Sequence, residues 1–228
     1  MFFAGLIPSY LALLAFLVAM VLTVLAIWRK QSELPKLVSL LAKFAFILQT
    51  LGVISLVVML VLEDYTNYYV ASVVNPAMPG ILKVTALWGG QAGSLFFWSW
   101  LVSLIVFIAL SSKRKLIDAW SFLVLAANVG FFLGLSLFGD NPFVQIWALS
   151  DGSLVSSLFA PEAGAVVHKL SIGMGLNPLL RHPGMIIHPP MLYLGYALFF
   201  VPFAVGISTL IQKRNDDQLI HDTRTWVV

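Results

Sequence analysis

Five apolar stretches, each about 20 residues long, limit what this chain can fold into more than any other feature of its sequence. They occupy residues 8–28, 40–62, 92–111, 116–138 and 190–211. A helix of about 20 apolar residues crosses the hydrocarbon core of a bilayer. No alternation of polar and apolar residues recurs at the spacing of barrel strands, and helices and closed barrels are the structures that span membranes. The sequence therefore predicts an all-α integral membrane protein with a bundle of about five transmembrane helices.

The composition supports the membrane class and excludes several functions. Only 10% of the 228 residues are charged, whereas about 25% are charged in an ordinary soluble domain. The net charge of +3 comes from basic residues in small groups, without the aromatic-rich basic patch of a nucleic-acid-binding surface. The chain has no cysteine, which excludes disulfides, thiol nucleophiles and cysteine-ligated zinc. Membrane lipid is therefore an expected partner, and nucleic acid is not.

The basic residues predict how the bundle is oriented. Ten of the 13 lie near the connections that follow the first, third and fifth stretches. They are Arg29, Lys30, Lys36, Lys43, Lys113, Arg114, Lys115, Lys213, Arg214 and Arg224. Basic loops stay on the cytoplasmic side, so we expect the N-terminus outside and the C-terminus in the cytoplasm. The first long loop (63–91) and the second long loop (139–189) then face outward from a cell membrane or a mitochondrial inner membrane.

The first long loop carries aromatic residues and glycines. Tyr65, Tyr68 and Tyr69 suit an aromatic belt at the membrane surface. The sequence Trp88-Gly89-Gly90 leads into the third helix, and Gly93 follows Gly89 at the spacing that packs helices closely in lipid. Such glycines would equally let a flat ligand approach the backbone, so close packing and a ligand platform both remain open.

The second long loop ends in His188-Pro189-Pro190. Because proline fits the first turn of a helix, we expect the fifth helix to begin at Pro190, with His188 at its mouth. An imidazole there can ligate a metal, accept a proton or cap the helix. Tyr193 and Tyr196 follow with helical spacing and should share one face, for packing or for a ligand.

Metal sites and hydrolytic sites find little support in the rest of this loop. His168 and His182 also lie in it, but no pair of its histidines has the i, i+4 spacing of two ligands on one helical face. A three-histidine zinc site is therefore weakly supported, and no HExxH motif or phosphate-binding loop is present.

Three segments together resemble the CcmF family of cytochrome c-type biogenesis proteins, which handle haem in the haem-lyase complex. They are DYTNYYVAS at 64–72, ALWGGQAGSL at 86–95 and NPLLRHPGMIIHPPMLYLGY at 177–196. The related nitrite-reductase haem lyases and CcsA-type synthases share parts of this pattern. The resemblance implies the covalent attachment of haem to the thiols of apocytochrome c on the outer face of the membrane.

The resemblance also implies a site. His188 matches one of two outward-facing histidines that hold haem iron axially in the family. Trp88, Gly89, Gly90, Tyr193 and Tyr196 would provide flat and closely approached surfaces for a b-type haem in transit. A partner chain would complete the iron ligands. The implied partners are the remaining part of a CcmF-like protein, CcmH-like and CcmE-like maturation proteins, and apocytochrome c.

The chain departs from the family pattern in two ways. Ala92 stands where relatives often have an acidic residue, which argues against a general acid at that position. The tryptophan-rich outer loop, the second outward histidine and the membrane-embedded histidines of the family have no counterpart in the sequence. We therefore expect an N-terminal part of a larger split or truncated protein, forming a single membrane domain. The alternative is a non-catalytic membrane subunit of a transporter or respiratory complex, with His188 as a helix cap.

Overall fold

The computed structural model describes residues 1–31, 33–112, 116–214 and 223–226. Lys113, Arg114, Lys115 and His221 lie outside these residues. The long helices are α1 (Phe2–Trp28), α2 (Lys36–Val61), α5 (Gln91–Ser111), α6 (Ala119–Phe138) and α7 (Gly184–Ile211). All five are long and apolar enough to cross a membrane. Over the described residues, the predicted class of an all-α membrane protein with about five transmembrane helices is confirmed, while its orientation stays a prediction.

The described chain divides into two compact units, and every long helix contributes residues to both. The first unit contains residues 1–9, 51–97 and 135–190. The second contains residues 10–50, 98–134 and 191–228. Both long loops belong to the first unit, so its candidate site residues can be considered together.

In the first unit, the first long loop folds into the short helices α3 (Tyr68–Val73) and α4 (Gly80–Thr85), followed by a 3-10 helix at Ala86–Trp88. Asn67 begins α3, because its side-chain oxygen accepts a hydrogen bond from the Val70 N–H at 2.8 Å. The amide group of the same side chain donates to the Pro142 carbonyl at 2.9 Å. One buried asparagine thus caps α3 and attaches it to the second long loop.

The second long loop contains a small antiparallel sheet that the sequence analysis did not predict. Its strands are β1 (Gln145–Ala148), β2 (Leu154–Ser157) and β3 (Val166–Val167), in the order β2-β1-β3. Asp151-Gly152 lies in the turn between β1 and β2, and Gly152 has a φ of 84°. An Asp-Gly pair between short apolar strands is a hairpin signal, so the sequence contained the necessary information.

Backbone hydrogen bonds join the two long loops. The Tyr68 N–H donates to the Val144 carbonyl, and the Ile146 N–H donates to the Thr66 carbonyl, both at 2.9 Å. Further along, the Met174 N–H donates to the Ala71 carbonyl at 2.8 Å. These bonds give buried backbone groups their partners and fix the second long loop against α3.

Two of the three tyrosines in the first long loop do not belong to the predicted aromatic belt. Tyr65 and Tyr69 are buried, and Tyr68 alone of the three is exposed, at 53%. The Tyr69 hydroxyl donates to the Ala86 carbonyl at 2.6 Å. Burial with hydrogen-bonded hydroxyls makes the two rings part of the unit's interior, so the belt prediction is wrong for them.

In the second unit, polar side chains join the helices. Gln49 donates to the Ser99 hydroxyl at 2.7 Å, and the Trp100 indole donates to the Thr50 hydroxyl at 2.9 Å. Such interhelical bonds between polar side chains are typical of membrane helix packing. They connect α2 to α5.

Asp118 precedes α6 in the second unit and serves as its N-cap. Its carboxylate accepts a hydrogen bond from the Ser121 N–H at 2.8 Å and pairs with Arg214 at 3.1 Å. Burial raises the pKa of Asp118, but the hydrogen bonds from the Ser121 backbone and hydroxyl, and then those from Gln212 and Ser208, outweigh burial and lower it. The ionised carboxylate therefore holds the start of α6 against the end of α7.

Candidate functional site

His188 lies inside α7 and does not precede it. The helix begins at Gly184, so the prediction that it starts at Pro190 is wrong. The first N–H groups of α7 find acceptors immediately upstream. The Gly184 N–H bonds to His182 Nδ1 at 3.0 Å, and the Met185 N–H bonds to the His182 carbonyl at 2.8 Å. With these orphan donors satisfied, the helix can start before the diproline.

The helix-capping role that the sequence analysis offered for His188 belongs to His182. It is the His182 imidazole that accepts the Gly184 N–H. His188 is an exposed residue within the helix. Its neighbours Ile187 and Met191 are also exposed, at 67% and 61%. An accessible imidazole with apolar side chains beside it can contact an apolar ligand while its ring nitrogen binds a metal.

Trp88 connects the first long loop to the start of α7. Its indole Nε1 donates to the Met185 carbonyl at 2.8 Å, and its ring lies 5.3 Å from the Phe97 ring, tilted by 34°. Two segments that the sequence analysis singled out separately, 86–95 and 177–196, are therefore in direct contact. The structure brings Trp88 and the helix of His188 together within the first unit.

Gly89 and Gly90 are surrounded by protein on the side where a Cβ atom would point. A Cβ atom at Gly89 would lie 2.5 Å from the Leu176 side chain. At Gly90 it would lie 2.9 Å from the Tyr69 ring and 3.1 Å from Val73. Both positions favour glycine, Gly90 more strongly, because its neighbour is a buried aromatic ring and the neighbour of Gly89 is the end of one flexible side chain. This geometry favours close packing, and the role of the two glycines in ligand binding stays a prediction.

Tyr193 and Tyr196 belong to the second unit, and both rings contact Trp98. Their ring centroids lie 5.5 Å and 6.4 Å from the indole. The prediction that the two tyrosines share a face is therefore confirmed. Tyr196 also lines an apolar groove of about 510 Å³ with Phe199, Phe200, Pro202 and Phe203. Such a surface suits lipid tails or another apolar ligand.

An ion pair in the first long loop was not predicted. Lys83 lies 2.5 Å from the Glu63 carboxylate, which also accepts the Tyr65 hydroxyl at 2.8 Å. The hydrogen bond from Lys83, followed by that from Tyr65, lowers the pKa of Glu63. Burial raises the pKa of Tyr65 to about 12, with the Glu63 bond adding to this effect. Because the partners are far apart in sequence, no local pattern could have identified the pair.

Metal-ligating side chains do not cluster in the described ranges. No three histidine, cysteine, aspartate or glutamate side chains there lie close enough to hold a metal ion. A three-histidine zinc site therefore has no support among these residues. His188 can supply one imidazole ligand to haem iron, and an iron bound on both faces needs a second ligand.

Comparison with known proteins finds relatives that match most of this chain. The model of the family described as Cytochrome C assembly protein matches residues 88–226. The cytochrome c-type biogenesis protein CcmF of Escherichia coli is 35% identical over 223 residues, covering 94% of this chain and 31% of the relative. The cytochrome c-type biogenesis protein NrfE of Haemophilus influenzae is 34% identical over 166 residues, covering 73% of this chain and 24% of the relative.

A solved structure shares the fold. The protein described as Cytochrome c Heme Lyase CcmF matches with a TM-score of 0.75 at 21% identity, over 99% of this chain and 33% of that one. The present chain thus spans about a third or less of the length of these relatives.

Proposed function

The chain belongs to the Cytochrome C assembly protein family, and from this premise we propose that it handles haem as one component of a CcmF-like haem lyase. The assembled lyase would attach haem covalently to apocytochrome c on the outer face of the membrane. This chain would contribute the first long loop, the second long loop and the start of α7.

The observation that carries the proposal is the exposed imidazole of His188 beside exposed apolar side chains. A neutral imidazole is a common axial ligand of haem iron. Ile187 and Met191 adjoin it along α7 and offer apolar contact to a macrocycle. Their exposure keeps apolar area in water or lipid, and a bound macrocycle would cover it.

Trp88, Gly89 and Gly90 are proposed to border the haem position because Trp88 bonds to the start of the same helix and the two glycines follow it directly in the chain. Tyr193 and Tyr196 follow His188 on α7, and we assign them the role of aromatic neighbours further along the helix. The family resemblance supports these assignments, and each can be tested by substitution.

The haem is proposed to be a b-type haem in transit, with its second iron ligand from a partner chain. This chain has no cysteine, so the thiols must come from the substrate or from partners. Addition of a thiol S–H across a haem vinyl C=C forms the C–S bond and requires no cysteine from the lyase. The proposed partners are the remaining part of the CcmF-like protein and CcmH-like and CcmE-like proteins.

Substitution of His188 tests the proposal. His188→Ala in the complete assembly should remove the haem absorbance that depends on this ligand and abolish formation of haem-stained cytochrome c. His168→Ala is the matched control, because His168 lies in the same loop and its described hydrogen bond is made by its backbone. The variants should be compared at equal amounts of membrane-inserted protein.

Unchanged cytochrome c formation and haem absorbance in His188→Ala would contradict the role of His188. A complex without haem absorbance even when every partner co-purifies would instead favour the non-catalytic subunit of a transporter or respiratory assembly.

A further inference from the structure

Pro189 leaves a carbonyl of α7 without its usual helical partner. In an α-helix the carbonyl of residue i accepts the N–H of residue i+4, and proline has no N–H. The Met185 carbonyl should therefore lack a backbone donor at position 189. A proline beyond the first helical turn ordinarily destabilises or kinks the helix.

The Trp88 indole supplies the donor at this carbonyl. Its Nε1 lies 2.8 Å from the Met185 oxygen. An indole N–H can only donate, so it matches an acceptor that has lost its donor. Met185 is half-buried, and a partly shielded acceptor that loses its partner destabilises the fold.

Contacts within the first unit hold the indole in place. The 3-10 helix Ala86–Trp88 is fixed because the Tyr69 hydroxyl donates to the Ala86 carbonyl at 2.6 Å. The Phe97 ring packs against the indole. Leu176 packs beside Gly89, in the turn that follows Trp88. These contacts position the donor against α7.

We propose that Trp88 is a positioning residue for His188: its indole N–H replaces the amide hydrogen that Pro189 lacks and fixes the turn of α7 that carries His188. This inference rests on the proposed function of His188 as an iron ligand. The indole N–H of Trp88 thus binds α7, whereas the family resemblance implied only that its side chain faces the ligand.

A double-mutant experiment in the complete assembly tests the proposal. Trp88→Phe keeps an aromatic ring against Phe97 but removes the donor. Pro189→Ala restores a backbone N–H that can bond to the Met185 carbonyl. The first readout is amide hydrogen exchange at Ile186, Ile187 and His188, and the second is haem bound per complex.

The expected result is non-additive. Trp88→Phe should speed amide exchange at these positions about fivefold, the factor that corresponds to one ordinary hydrogen bond, and should lower haem occupancy severalfold. In the Pro189→Ala background the same substitution should change either readout less than twofold. Trp100→Phe is the matched control, because it removes an indole bond to Thr50 in the second unit. It should leave exchange at the start of α7 unchanged.

Two results would overturn the proposal. One is unchanged exchange at Ile186–His188 in Trp88→Phe. The other is an equal loss of haem on Trp88→Phe in the native and the Pro189→Ala backgrounds, which would show that the indole acts on the ligand directly. If instead His188→Ala retains haem while Trp88→Phe still speeds exchange, the proposed function fails and the helix-completing role stands. If Trp88→Phe does not fold, the double variant with Pro189→Ala decides. The restored amide should recover folded protein that binds haem, and a double variant that also fails to fold would overturn the proposal.

Discussion

Glu63 forms an ion pair with Lys83 and a hydrogen bond with Tyr65, and this cluster should make the stability of the first unit depend on pH. The ion pair is partly shielded, with side-chain exposures of 25% for Glu63 and 13% for Lys83. Tyr65 has a pKa of about 12, so its hydroxyl remains a donor to Glu63 through the neutral range. The carboxylate therefore has two donors for as long as it stays ionised.

Ionisation of Glu63 should make the folding stability depend on pH. Its pKa is lowered in the folded protein from the value of 4.5. A carboxyl with a lowered folded pKa adds stability that is present above the unfolded pKa and is lost as pH falls through the folded pKa. Glu63→Gln should therefore lose less thermal stability than the native protein when pH falls from neutrality to well below 4.5.

Unfolding midpoints in detergent at the two pH values measure this difference. Lys83→Met should reduce the pH dependence in the same way, and the double variant should add little to either single change. An equal pH dependence in the native protein and in Glu63→Gln would refute the linkage.

Among the helices, α5 depends on a close approach at its start. A Cβ atom at Gly93 would collide with the Leu87 carbonyl and the Tyr69 hydroxyl. The same hydroxyl bonds to the Ala86 carbonyl, so it cannot move without breaking that bond. Gly93 therefore packs against a loop tyrosine, as Gly90 does, whereas Gly89 packs against Leu176.

Gly93→Ala should destabilise the protein by about 1–3 kcal/mol through overpacking. Gly134→Ala in α6 is the matched control, because a Cβ atom there meets no other atom within 4 Å. Titration with SDS from mixed micelles measures both free energies of unfolding. A loss at Gly134 as large as that at Gly93 would show that the effect is not steric.

For the whole molecule, the direction of insertion decides whether His188 can reach a haem outside the cytoplasm. The absence of native cysteine makes single-cysteine labelling unambiguous. Ala163→Cys in the second long loop should react with a membrane-impermeant maleimide on intact cells. Gln31→Cys, between α1 and α2, should react only after the membrane is made permeable. Both residues are exposed, so the reverse pattern would contradict the predicted orientation.

The spanning helices could be predicted from the sequence because transfer into lipid depends on the composition of about 20 consecutive residues. The predicted C-terminal ends of the five helices lie within one residue of those in the structure, but α1, α2 and α6 start at Phe2, Lys36 and Ala119, not at 8, 40 and 116. The fifth was misplaced at its start because proline was treated as a local stop signal. The helix starts earlier because His182 and Trp88, which lie outside it, bond to backbone groups of its first turn.

The candidate site was predictable in its residue types but not in its connections. The sequence by itself determined the apolar spans, the lone imidazole before a diproline and the aromatic and glycine motifs, since each is a property of a short segment. Only the tertiary structure decided that Trp88 bonds to α7, that Tyr69 packs on Gly93 and that Glu63 pairs with Lys83. Those contacts join residues distant along the chain, and hydrogen bonds and close packing depend on which groups the fold brings within a few ångströms of each other.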